Sequence, residues 1–133
     1  MTKSTKQFII VDDDPFSNFL SKTVLLKSFG EVAVKDFLVP EEALDYIKEE
    51  YEYSSREEKI VLFLDLNMPT ITGWEFLELF KTFSPSVRSQ FRIYILSSSI
   101  DPLDIERAKQ NPLVIDFVEK PLSKGALVEL FGG

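Results

Sequence analysis

The chain has 133 residues, enough for one domain that buries a core without disulfides or a structural metal. It contains no cysteine and no histidine, which excludes disulfide cross-links, thiol catalysis, the usual zinc sites and any imidazole base, so carboxylates, hydroxyls and amines must carry any chemistry. Its 22 acidic and 15 basic residues give a formal charge of -7, which argues against nucleic acid or an anionic membrane surface as a partner and favours a cation or a cationic protein.

The opening residues 1–7 are short and polar and lack the apolar stretch of a leader, and no later run approaches the roughly eighteen apolar residues that span a bilayer. A soluble, cytoplasmic protein is expected. Short apolar runs at residues 8–11, 32–34, 60–64, 93–96 and 114–118 read as five strands. The runs are continuous rather than alternating, as in strands covered on both faces, and each connection is long enough for a crossover helix, so a parallel α/β sheet is expected.

Taken in chain order, the first helix has Asp14 as N-cap, Pro15 at its first position, Phe16, Phe19, Leu20 and Val24 on one stripe, and Gly30 as its stop. Pro40 opens a second helix with Ala43, Leu44 and Ile47 inward, and the charged residues 48–59 form a solvated helix end and loop. Gly73 precedes a third helix carrying Phe76, Leu77 and Phe80. Asp101 and Pro102 cap a fourth, with Leu103, Ile105 and Ala108, and Ser123 caps a short fifth. No repeat or composition shift interrupts the alternation, so a single domain over residues 1–133, with its core at about 7–131 and no output domain, is expected.

In open parallel sheets the ligand site forms beyond the carboxyl ends of the strands. Those ends are polar here: Asp12, Asp13 and Asp14 after the first run, Asp65 after the third, Ser97, Ser98 and Ser99 after the fourth, and Lys120 after the fifth. Crowded carboxylates repel and are stable together chiefly around a cation, and magnesium favours one or two carboxylates with waters and phosphate oxygens, a role that suits Asp13 and Asp65. Asp14, ahead of Pro15, reads as a cap. A carboxylate can attack a phosphoryl group when metal and cation neutralise the equatorial oxygens, which makes Asp65 the candidate nucleophile, with Lys120 and the Ser97 hydroxyl as contacts to phosphoryl oxygens.

Four strings in order, Val11-Asp12-Asp13-Asp14-Pro15, Asp65-Leu66-Asn67-Met68-Pro69 with Gly73, the Ser97 cluster and Lys120-Pro121, resemble the motifs of the response-regulator receiver family over essentially the whole chain. The resemblance implies a flavodoxin-like (CheY-like), doubly wound, five-stranded parallel sheet of order 2-1-3-4-5 with helices on both faces. It implies Asp65 as phosphoacceptor, and a Mg2+ site, with Mn2+ able to substitute, at Asp13, Asp65 and the Asn67 backbone carbonyl, Asp12 acting indirectly. Ser97 is then the switch hydroxyl, Phe117 the aromatic that changes rotamer, Lys120 the phosphate contact, and the Lys120–Pro121 bond is expected to be cis.

The implied partners are a histidine kinase or histidine phosphotransfer protein, which must donate in trans, and a downstream protein target, with the chain a monomer or weak dimer. No enzymatic activity is implied beyond the chain's own phosphorylation and dephosphorylation. Two departures stand out: Asn111-Pro112-Leu113 replaces a small Gly-Ala step, and the last helix is short. An aspartate-based phosphatase would need a second acid where Asn67 stands, and a flavin-phosphate site would be repelled by three aspartates. A phosphorylation-independent binding module is the remaining alternative.

Overall fold

The computed structural model describes residues 6–53 and 59–132. Its elements alternate along the chain as β1 (Lys6–Val11), α1 (Pro15–Phe29), β2 (Val32–Phe37), α2 (Pro40–Tyr51), β3 (Ile60–Leu64), α3 (Gly73–Lys81), α4 (Pro85–Arg88), β4 (Phe91–Ser97), α5 (Pro102–Gln110), β5 (Val114–Glu119) and α6 (Lys124–Phe131). The strands form one sheet in the order β2-β1-β3-β4-β5, every adjacent pair parallel. The flavodoxin-like order expected from the motifs is therefore the order observed.

Alternation along the strands divides the core into two layers. Ile9, Val11, Leu62, Leu64, Ile93 and Ile95 point to one side, where α2, α3 and α5 bring Ala43, Ile47, Phe76, Leu77, Phe80 and Ala108. Phe8, Ile10, Val61, Phe63, Tyr94 and Leu96 point to the other, against Leu25 of α1 and Leu127 of α6. Short as it is, α6 ends in Phe131, whose ring meets Phe8, Phe29 and Tyr94 edge-on at centroid distances of 6.2, 6.1 and 5.6 Å. Such edge-to-face pairs add to the area the ring buries, so Phe131 joins the buried Leu127 in fastening the last helix.

Continuous burial holds for the apolar runs of the inner strands and fails at the edges. β3 is buried throughout, whereas β2 and β5 mix partly buried and exposed residues, with Val118 alone buried, because each has a neighbour on one side only. β2 also runs three residues beyond the apolar run, through Lys35, Asp36 and Phe37, which stay in register with Ile9, Ile10 and Val11. The charged edge residues Lys35, Asp36 and Asp116 discourage pairing with another sheet.

The helix ends follow local chemistry. The Asp14 carboxylate accepts from the Phe16 N–H at 3.0 Å, and Gly30 ends α1 at φ 72°. Asp101 accepts from the Leu103 N–H, and Ser123 accepts from the Ala126 N–H. The α1 stripe needs correction: Phe16 and Phe19 are 66% and 64% exposed and Leu20 is also exposed, while Asn18, Ser21 and Leu25 face the sheet. The inward set keeps helical spacing, Val24 of the expected stripe and Phe29 are partly buried against the same layer, and Phe16, Phe19 and Leu20 lie on the opposite side. On α5, Leu103 is likewise exposed and Ala108 buried.

A sixth helix, the single turn α4, was not expected. Ser84 caps it, Pro85 occupies its first position, and Val87 enters the core. The loop expected within residues 48–59 falls partly outside the described residues, and 48–51 are helical. No helix among the described residues is long and apolar enough to cross a membrane.

Candidate functional site

Register assembles the site at the carboxyl end of the sheet. Val11 of β1 lies beside Leu64 of β3, so the next residues, Asp12 and Asp65, emerge side by side, and the Asp65 N–H donates to the Val11 carbonyl at 2.9 Å. Beyond β4 and β5, the Lys120 N–H donates to the Ser97 carbonyl at 2.9 Å, which brings the lysine to the same end. Carboxylate oxygens of Asp12, Asp13 and Asp65 lie within 4.8 Å of one another. Asp12 and Asp65 are buried and Asp13 reaches toward solvent.

Lys120 is the cation of this cluster. Its Nζ is 2.5 Å from Asp12 Oδ2 and 3.6 Å from Asp65 Oδ1, so the tighter pair joins the lysine to the first acidic residue. Asp65 keeps less compensation. Burial, then the Asp12 charge, push its carboxyl up to about 6, against the opposing pull of Lys120 and a backbone hydrogen bond at Leu66. A carboxylate held ready to ionise among like charges is a group poised to gain from a cation.

The loop after β3 is shaped around Asp65. Gly73 opens α3 where a Cβ would stand 2.5 Å from the Asp65 carbonyl oxygen and 3.0 Å from the Leu66 Cα, so only glycine permits this approach without moving backbone. Its N–H donates to the Leu66 carbonyl at 2.9 Å. Thr72 and Glu75 complete a capping box, and the Thr70 hydroxyl donates to Glu41 on α2 at 2.8 Å. Asn67 is exposed in this loop.

Of the residues singled out from sequence, Asp12, Asp13, Asp65 and Lys120 meet in one cluster. Ser97 ends the adjacent strand, fully buried, with its Oγ accepting from the Ser99 N–H at 3.1 Å. Phe117 stands apart from the carboxylates: it lines a cavity of about 440 Å³ with Ser99, Ile105 and Ala108 between α5 and β5. The Lys120–Pro121 peptide bond is cis. Sequence reading passed over Asn18, which donates from Nδ2 to the Asp12 carbonyl at 2.9 Å. Its only signal was a polar residue in helical spacing with Ser21 and Leu25.

Three converging carboxylates against one lysine leave excess negative charge and all-oxygen donors, which fit a hard divalent cation of the magnesium kind. Soft or imidazole-seeking metals find no ligands here, as the chain lacks cysteine and histidine.

The fold is shared with solved proteins. A response regulator receiver protein from Dyadobacter fermentans is 33% identical, with a TM-score of 0.81, and the match covers 97% of this chain and 100% of that one. A two-component response regulator from Cytophaga hutchinsonii is 29% identical, with a TM-score of 0.84 and coverage of 97% and 96%. The phosphorylated cyanobacterial phytochrome response regulator RcpA is 26% identical, with a TM-score of 0.74 and coverage of 98% and 91%. No curated protein sequence gives a significant match. The family model for the response regulator receiver domain matches residues 8–131, and with the sheet order and the acidic strand ends this establishes that the chain belongs to that family of two-component signal transducers.

Proposed function

We propose that the chain accepts a phosphoryl group on Asp65 and that the new charge there alters a protein-binding surface. The observation that carries this reading is the meeting of Asp12, Asp13, Asp65 and Lys120, remote in sequence, at one end of the sheet. An Asp65 carboxylate oxygen attacks the phosphorus of a phosphohistidine. A C–O–P acyl phosphate forms, the P–N bond breaks, and its electron pair stays on the imidazole nitrogen, which takes up a proton. The chain has no histidine, so the donor acts in trans as a histidine kinase or histidine phosphotransfer protein.

Mg2+, or Mn2+ in its place, would be held by Asp13, Asp65 and the Asn67 carbonyl, with Asp12 acting indirectly, and when bound it neutralises charge on the equatorial phosphoryl oxygens. Lys120 adds a mobile positive charge beside Asp65, and the Ser97 hydroxyl turns to donate to a phosphoryl oxygen. Phe117 borders a cavity it can enter as Ser97 moves. Phe16 and Phe19, exposed on the first turns of α1 beside the acidic cluster, offer apolar surface to an incoming donor. A similar regulator, RcpA, was solved phosphorylated, which supports the acceptor role for a fold of this kind.

The test is incubation with acetyl phosphate, with and without Mg2+, followed by intact mass measurement. A magnesium-dependent gain of one phosphoryl group, absent in Asp65→Asn, is the expected result. A folded protein that gains nothing in either condition overturns the reading and favours binding without phosphorylation.

A further inference from the structure

Asn18 is 1% exposed on the inward face of α1, the helix that contributes Leu25 to an otherwise apolar layer with Phe8, Ile10 and Phe63. Its Oδ1 is buried with no hydrogen-bond partner among the described residues. An unpaired buried carbonyl costs stability, and leucine, with the same branching and the same number of side-chain heavy atoms, would remove that cost. What leucine could not supply is the Nδ2–H donated to the Asp12 carbonyl at 2.9 Å.

That carbonyl belongs to the peptide plane joining Asp12 to Asp13. The plane is rigid, so fixing its oxygen also fixes the direction in which Asp13 leaves β1. The other holds on Asp12 are its N–H, donated to the Phe37 carbonyl at 3.1 Å, its Oδ1, which accepts from the Asp14 N–H at 3.0 Å, and its Oδ2, which accepts from Lys120 Nζ at 2.5 Å. The Oδ1 bond closes a turn across Asp13, and the Asn18 bond fixes the peptide by which the chain enters that turn.

We propose that Asn18 is a positioning residue for the divalent-cation site: by clamping the Asp12–Asp13 peptide from α1 it sets both carboxylates at the spacing a cation needs. This rests on the reading of the acidic cluster as a cation site. It adds a helix residue, several positions from the motif aspartates, to the machinery that holds them. Groups that orient metal ligands typically govern affinity by about 10- to 100-fold.

The test is calorimetric titration of wild-type protein, Asn18→Leu and Ser21→Ala with Mg2+ alone, beside thermal melts in chelator. Ser21 is buried on the same helix face and controls for general loosening of α1. Asn18→Leu is expected to bind Mg2+ about 10-fold more weakly while still unfolding in one cooperative transition, and Ser21→Ala to keep its affinity. Should Asn18→Leu fail to fold, Asn18→Ser, too short to reach the carbonyl, carries the comparison. Affinity of the Asn18 variant within about twofold of wild type, or an equal loss in Ser21→Ala, overturns the inference and leaves the cation site standing. Wild-type protein that binds no Mg2+ overturns the site and the inference together.

Discussion

Asp65→Asn tests the electrostatics of the cluster without assuming any partner. The carboxyl is raised from 3.8 to about 6, chiefly by burial and then by Asp12. A shift of that size corresponds to ~3 kcal/mol between its protonation states, and solvent screening at the open end of the sheet reduces this to ~1–2 kcal/mol. Below pH 3.8 the folded and unfolded chains both hold the proton, and the group costs nothing. Between 3.8 and about 6 the unfolded chain ionises first, so stability falls as pH rises, and above about 6 the full cost is present.

Asparagine keeps the shape of the neutral acid, so the substitution relieves that cost while leaving the Lys120–Asp12 pair in place. Urea denaturation in chelator, followed by circular dichroism from acid to mildly alkaline pH, is expected to show Asp65→Asn more stable than wild type by ~1–2 kcal/mol at neutral pH and above. The gain vanishes toward pH 3.8. Mg2+ added to wild type narrows the difference, because a ligand of the folded state stabilises it. An asparagine variant no more stable than wild type at neutral pH, or a gain that does not change with pH, refutes the account of a strained carboxylate.

Three further outcomes can be checked. Lys120→Met leaves Asp12 and Asp65 facing each other without their cation, and at neutral pH in chelator its unfolding free energy should fall by ~2–4 kcal/mol, part of it recovered on adding Mg2+. Gly73→Ala forces a Cβ to within 2.5 Å of the Asp65 carbonyl oxygen, and thermal melting should report a loss of ~1–3 kcal/mol from the backbone shift this requires. Phe16→Ser with Phe19→Ser changes exposed side chains, so stability should stay within ~1 kcal/mol of wild type, while phosphotransfer from a histidine phosphotransfer protein slows and phosphorylation by acetyl phosphate does not.

Features that depend on neighbours in sequence were legible before folding. The caps at Asp14, Asp101 and Ser123 are hydrogen bonds to an N–H two or three residues ahead, and β3 coincides with its apolar run because it is buried along its whole length. The acidic and basic residues at the strand ends could be named for the same reason: a parallel sheet with crossover helices brings those ends together. The turn at Ser84-Pro85 carried the same cap signal as the helices that were anticipated, yet a single turn has too little periodicity to stand out.

The tertiary structure decided what depends on distant residues. The apolar stripe of α1 did not reveal which side meets the sheet, and packing against β1 and β2 turned Asn18 and Leu25 inward and left Phe16, Phe19 and Leu20 outside. β2 continues through Lys35 and Asp36 because its backbone pairs with β1, whatever the side chains. Lys120 lies closer to Asp12, 108 residues away, than to Asp65, and Gly73 is crowded by the Asp65 carbonyl. Hydrogen bonds within a turn are set by the chain's own covalent neighbourhood, whereas burial, ion-pair choice and close backbone approach exist only once separate strands and helices are brought into contact.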